Sequence, residues 1–333
     1  MKALFIGGTG NISSACSRLA IAQDIELSIL NRGQRDPDEI PGATWIRADI
    51  NEFSRIREQL SGERFDVVVN FIAYLPGEVE RDIQLFSDIC DQYIFISSAS
   101  AYQKPPTHAV ITESTPLANP YWDYSRNKIA CEELLISAYR ERGFPATIVR
   151  PSHTYETVIP VAIGSWEDFT IIDRMRKGGK VIIHGDGTSL WTITHSVDFA
   201  KGFVGLMGNR QSIGHSFHIT SDEILNWNQI YQAVADAAGT ELKAVHIASD
   251  FICREADNMG QEWIRGNLIG DKANSAIFDN SKIKRFVPGY VATIPFSEGI
   301  KKTVEWFDAH PHRIRIDPVN NRLMDTILAA YGG

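Results

Sequence analysis

The sequence predicts an α/β protein, a doubly wound parallel sheet followed by a smaller mixed α/β C-terminal domain. Three observations carry this expectation. Short apolar runs alternate with helix-like stretches through the first half of the 333 residues. The first run feeds directly into Gly7-Gly8-Thr9-Gly10 and then a helical pattern. After Pro151 the rhythm breaks, with Pro160, Gly164, Gly178-Gly179, Gly185 and Gly187 as punctuation.

In chain order, Lys2–Gly7 reads as a strand and residues 11–23 as a helix. Glu26–Leu30, Thr44–Arg47, Asp66–Phe71, Tyr93–Ser97 and Thr147–Arg150 read as further strands, each short and rich in apolar residues. Helical patterns fall between them near Phe53–Leu60, Val79–Cys90 and Tyr124–Arg142. Strands that alternate with helices build a parallel sheet covered on both faces. Later segments add a strand at His215–Thr220 and helices near Trp227–Ala238, Phe296–Ala309 and Asn320–Ala330. The expected division places residues 1–155, with about 181–222, in a first domain. Residues from about 156 to 180 and from 223 to 333 form the second.

The length is ample for a sizeable core. A net charge of −8 argues against a broad nucleic-acid or anionic-membrane surface. Cys16, Cys90, Cys131 and Cys253 are too far apart to read as a metal knuckle or redox pair, so no metal site is expected and free thiols are. No apolar run approaches the roughly 20 residues of a membrane span. The N-terminus shows no signal-peptide pattern, and the expected location is the cytoplasm.

The glycine loop has the spacing Gly7-x-x-Gly10-x-x-Ser13 between the first strand and first helix. There a backbone turn with little side chain can approach a pyrophosphate at the helix N-terminus, the arrangement of a Rossmann-type dinucleotide site. Gly7, Thr9, Gly10, Asn11 and Ile12 are the candidate contacts. Strand two ends in Asn31-Arg32-Gly33, with Arg35 close behind and no carboxylate for the ribose 2′-hydroxyl. Arginine pairs well with a 2′-phosphate, so NADP is favoured, with NAD the alternative.

Tyr124-Ser125-Arg126-Asn127-Lys128 places a phenol and an ammonium on one helix face. A nearby cation favours the phenolate and is expected to lower the tyrosine pKa, which would make Tyr124 a general acid/base at an alcohol oxygen. Alone, the spacing also describes an ordinary surface pair. Its company gives it weight.

Taken in order, the Gly7/Gly10 loop, Ser97-Ser98-Ala99-Ser100-Ala101-Tyr102 and the Tyr124/Lys128 pair resemble the extended short-chain dehydrogenase/reductases of the NAD-dependent epimerase/dehydratase family. Asp49-Ile50, Asn70-Phe71-Ile72-Ala73, Arg150-Pro151-Ser152-His153, His195-Ser196-Val197-Asp198-Phe199-Ala200 and Asp279-Asn280-Ser281-Lys282 extend the resemblance over nearly the whole chain. It implies that Ser98 hydrogen-bonds the reacting oxygen, with Ser97 and Ser100 as rivals for that place, and that Tyr124 exchanges the proton. Lys128 would hold the nicotinamide ribose. Asp49 and Ile50 would lie at the adenine, and Phe71, Ile72, Ala73 and Pro151 along the cofactor.

Family members that epimerise sugar nucleotides hold the substrate diphosphate with two arginines. Here those positions are Trp191 and Leu268. Arg265, Lys272 and His195 are the nearby alternatives, and Trp191 could stack on a sugar or pack as a core residue. His153 and Ser100 are candidate substrate contacts, and Trp122, Asp123 and Tyr155 candidate rim residues. The resemblance implies an NAD(P)-dependent epimerase or reductase of a sugar-like or other secondary alcohol or ketone. Dehydration is disfavoured because Ala99-Ser100 replaces the family's Asp-Glu pair. The alternative is a non-catalytic NADP sensor or RNA-binding relative. A homodimer is expected through helices near Val79–Cys90 and Cys131–Arg142, using Ile83, Phe86, Leu134 and Ile136.

Overall fold

The computed structural model describes residues 1–34, 39–164 and 166–332. Arg35 lies outside the described residues. Seven parallel strands form the central sheet. They are β1 (Lys2–Ile6), β2 (Glu26–Asn31), β3 (Thr44–Arg47), β4 (Phe65–Asn70), β5 (Cys90–Ile96) and the strands Ala146–Pro151 and Ser216–Ile219. Their spatial order, from the Ser216–Ile219 edge, is Ala146–Pro151, β5, β4, β1, β2 and β3. The order reverses between β1 and β4, so the connections after these two strands leave toward opposite faces and open a crevice at the carboxyl end of the sheet.

The strands are apolar almost throughout because both faces are covered. On one face, helix α1 (Ser13–Ala22) packs with the helix Ser196–Leu206, and Ala15, Cys16, Phe199 and Phe203 join one core. On the other, α3 (Pro76–Phe86) packs with α4 (Asp123–Arg142), and α2 (Phe53–Gln59) adds Ile56. Ile83 and Phe86, expected at a dimer face, are buried in this second core, which leaves only Leu134 and Ile136 half-exposed. All four cysteines are free and buried.

A third core lies under the C-terminal helices Trp227–Ala238, Phe296–Ala309 and Pro318–Gly332. The strand Val181–His184 belongs with it. It pairs in parallel with Ala244–Ile247 rather than joining the central sheet, although the sequence division sets residue 181 onward with the first domain. The helix Ser249–Asn258, which the sequence pattern does not announce, has no side-chain cap and a half-polar surface.

Candidate active site

The crevice at the end of β1 and β4 is a cleft of about 670 Å³. It gathers Gly7, Gly10, Asn11 and Ile12 from the glycine loop, Phe71 and Ile72 from the end of β4, and Ser98 after β5. Tyr124 from the start of α4 and Pro151 and His153 complete it.

Gly7 takes φ +106°, and a Cβ there would fall 2.8 Å from Cγ2 of Ile72. The turn itself therefore requires glycine. Gly10 differs. Its φ is not positive, and a Cβ there would meet only Ser13 Oγ at 3.4 Å, so the fold does not require it. Glycine at that point keeps open the space in front of the α1 N-terminus, as a pyrophosphate would need. Asn11 has its side chain engaged, donating to Thr154 O at 2.7 Å and accepting from Glu156 N at 2.9 Å. It ties the loop to the segment after Ala146–Pro151.

Asn31 ends β2 beside the loop, and Gly7 N–H donates to Leu30 O at 3.0 Å. Its Oδ1 accepts from Gly33 N at 2.8 Å, while its Nδ2 is buried without a partner among the described residues. An orphaned donor at this place suits a ribose hydroxyl. Arg32 is exposed next to it. Arg47, which the sequence reading missed, lies so close that a Cβ on Gly33 would be 2.5 Å from its Nε. Asp49 accepts from Asn51 N at 2.9 Å and Ile50 is buried, both at the end of β3 outside the main cleft. The loop, Asn31 and the open Gly10 fit a dinucleotide.

The three serines after β5 have separate fates. Ser97 Oγ donates to Glu132 Oε1 at 2.5 Å, within a buried ion pair in which Arg150 Nε also meets Oε1 at 2.9 Å. Ser100 is buried and shares hydroxyl contacts with Ser98 at 2.9 Å and Ser125 at 2.8 Å. Of the three, Ser98 faces the cleft and bonds Tyr124, and that hydrogen bond favours the phenolate.

Lys128 is buried. Its ammonium donates to Ala73 O and Ile96 O, each at 2.7 Å, and lies 4.5 Å from the Tyr74 ring centre. Burial pushes its pKa down to about 8. Tyr124 departs from the sequence expectation. Burial, then Tyr74, raises its phenol above the ordinary value, and the Ser98 hydrogen bond offsets this only in part. A desolvated phenol loses more from ionising than this arrangement returns to it.

Trp191 is 1% exposed and its indole N–H donates to His153 Nδ1 at 2.7 Å. It backs the wall instead of offering a stacking face. His153 holds a positive φ of +41°, sparsely populated for a residue with a side chain, and burial keeps its imidazole neutral. Besides Phe71 and Tyr124, the aromatic residues that line the cleft are Tyr74, Trp122, Trp166 and Trp263. Asp123 instead pairs with Arg126 at the surface, and Tyr155 is buried against His195 and Phe296. Of the replacements considered for the missing arginines, Arg265 pairs with Asp257 at the surface and His195 Nδ1 caps the Ser196–Leu206 helix, while Lys272 reaches the cleft.

Comparison with known proteins agrees with this geometry. The model of the NAD-dependent epimerase/dehydratase family matches residues 3–220. The chloroplast stem-loop binding protein of 41 kDa b of Arabidopsis thaliana is 24% identical over 259 residues, 74% of this chain and 65% of that protein. The UDP-glucose 4-epimerase of Lactobacillus helveticus is 28% identical over 169 residues, 45% of this chain and 51% of that enzyme. The chain thus spans less than two thirds of the length of either relative. Among solved structures, an epimerase from Methanothermobacter thermautotrophicus superposes with a TM-score of 0.76 at 14% identity, covering 93% of each chain. A dTDP-glucose 4,6-dehydratase from Bacillus anthracis, in complex with NAD, gives 0.74 at 16% identity over 94% of this chain and 98% of that one. These likenesses are of fold, and with the family match they settle the classification: the chain belongs to the NAD-dependent epimerase/dehydratase family.

Proposed function

We propose that this protein is an NAD(P)-dependent oxidoreductase or epimerase acting at a secondary alcohol or ketone, with Tyr124 as the proton carrier. The observation that supports it is convergence. Ser98 and Tyr124 share one cleft with the open Gly10 backbone, and Lys128 lies beneath them. The cofactor, when bound, supplies or accepts the hydride.

The remaining roles fall to the chain. Ser98 and Tyr124 hydrogen-bond the substrate oxygen and orient it. Tyr124 Oη gives its proton to that oxygen as a ketone is reduced, or takes it as an alcohol is oxidised. Lys128 fixes the backbone at Ala73 and Ile96, the floor on which the nicotinamide end would rest. Arg32 and Arg47 beside Asn31 support NADP, because a 2′-phosphate calls for paired cations. The absence of an acidic residue after Ser98 speaks against dehydration.

The stem-loop binding relative raises a second reading, but the acidic chain and the assembled Ser98/Tyr124/Lys128 set favour chemistry over RNA. The test is turnover of NADPH with a panel of ketones and aldehydes, wild type against Tyr124→Phe. Turnover that survives the substitution unchanged contradicts the proposal.

A further inference from the structure

Beside Ser98 and Tyr124, at one turn of the cleft wall, two buried ammoniums, Lys104 and Lys272, meet the single carboxylate of Asp271. The π-helical turn Leu268–Lys272 brings Lys272 into the lining, 8% exposed. Such turns recur at functional sites because they displace a side chain from helical register. Its backbone is pinned, since Lys272 O accepts from Trp227 Nε1 at 3.1 Å and lies 3.0 Å from His184 Nε2. The turn is packed against the cleft by Gly266, where a Cβ would collide with the Trp122 ring. Asn119 strengthens the link by donating to both Ser100 O at 2.8 Å and Gly270 O at 2.6 Å.

Lys272 Nζ donates to Asn267 Oδ1 at 2.7 Å and sits 3.3 Å from Asp271 Oδ2. Two of its three protons are thereby placed. Asp271 also faces Lys104, whose buried ammonium is 3.5 Å away. Two ammoniums thus share one carboxylate. His153 and His184 are neutral and supply no counter-charge. Glu167, the other carboxylate of the lining, acts on the Tyr74 side.

His153 adds a donor. Its Nδ1 accepts the Trp191 N–H, so the neutral ring carries its proton on Nε2, which is buried without a partner among the described residues. Lys272 is close enough to His153 for its charge to be felt there. The distance to the chemistry is short. The Lys272 ammonium is 6.0 Å from the Trp122 ring, and that ring is 4.9 Å from the Tyr124 ring.

We infer that Lys272 and His153 Nε2–H form an anion subsite, and that the substrate reacting at Tyr124 is a compact alcohol or ketone carrying one anionic group, a carboxylate or a phosphate monoester. One excess charge and one neutral donor match a single such group better than a diphosphate, which draws on several cations. The identity of the group rests on the function proposed above, while the existence of the subsite does not.

The test titrates wild type, saturated with NADP⁺, with acetate and separately with inorganic phosphate at constant ionic strength in chloride, following tryptophan fluorescence. The expected result is saturable binding of at least one anion in the millimolar range. Lys272→Met should weaken it tenfold or more and Lys272→Arg should restore it, with cofactor affinity unchanged. Binding of acetate alone assigns a carboxylate, and binding of phosphate alone assigns a phosphate monoester. Wild type that binds neither anion overturns the subsite without any variant, as does Lys272→Met binding like wild type. If neither NADP⁺ nor NAD⁺ binds, the function proposed above falls, and the same anion titration on the cofactor-free protein decides the subsite.

Discussion

Lys128 and Tyr124 stand one helical turn apart, and the ammonium lies 5.8 Å from the centre of the Tyr124 ring while it donates to the carbonyls of Ala73 and Ile96. The pair divides its labour. The lysine braces the backbone after β4 and at the end of β5, and the phenol faces the cleft. Tyr124→Phe removes the proton and little else. Turnover should drop by about 10²- to 10⁴-fold, with dinucleotide affinity within about twofold of wild type. Steady-state rates and a fluorescence titration on the same preparation check both halves.

Cofactor choice should reside at the ends of β2 and β3. Arg32→Ala or Arg47→Ala should weaken NADPH binding by about tenfold, roughly one charge-assisted contact, and leave NADH nearly unchanged. Equal losses for both dinucleotides would assign the arginines to the shared part of the cofactor instead.

Acid should loosen the fold through histidines buried neutral. His184 and His195 are pushed down to about 4 and His153 also falls well below its ordinary value, in each case by burial first. The unfolded chain takes up these protons near pH 6.5, and in the native chain His184 and His195 refuse them until about pH 4. Stability is therefore complete above pH 6.5 and is lost as pH falls from there toward 4, by about 2 kcal/mol at pH 5 for each of His184 and His195, with His153 acting in the same direction. The carboxyls of Asp82 and Glu156, raised by burial, work in the opposite sense. Comparing His184→Gln with wild type isolates one histidine. The drop in melting temperature between pH 7 and pH 5 should be smaller in the variant.

The parts of this structure governed by local pattern could be read in the chain. Thr44–Arg47, Trp227–Ala238 and Phe296–Ala309 have the expected bounds, because apolar periodicity and turn residues dictate them. The glycine loop and the Tyr124/Lys128 spacing are local too. What escaped is what burial and distant packing decide. The direction of the Tyr124 pKa depends on desolvation, which no spacing encodes. Trp191 could be core or platform until His153 was seen to accept its N–H. Trp166, Trp263 and Arg47 reach their sites through contacts between segments far apart in sequence, and the same contacts single out Lys272 from the three replacements the sequence offered. The nearest signal was small Gly266 and Gly270, four residues apart, which let their turn close on Trp122.

The central claim is that the cleft before α1 holds a dinucleotide, and Gly10 offers its most direct test. A Cβ there meets only Ser13 Oγ, at 3.4 Å, yet a side chain would occupy the space the pyrophosphate needs. The measurement is a titration of wild type and Gly10→Val with NADPH and NAD⁺, alongside their melting temperatures without ligand. The account predicts saturable binding by wild type, a loss of at least about 100-fold in Gly10→Val, roughly 2.7 kcal/mol, and closely matched melting temperatures. Undiminished binding by a folded Gly10→Val, or no binding by wild type, would contradict it.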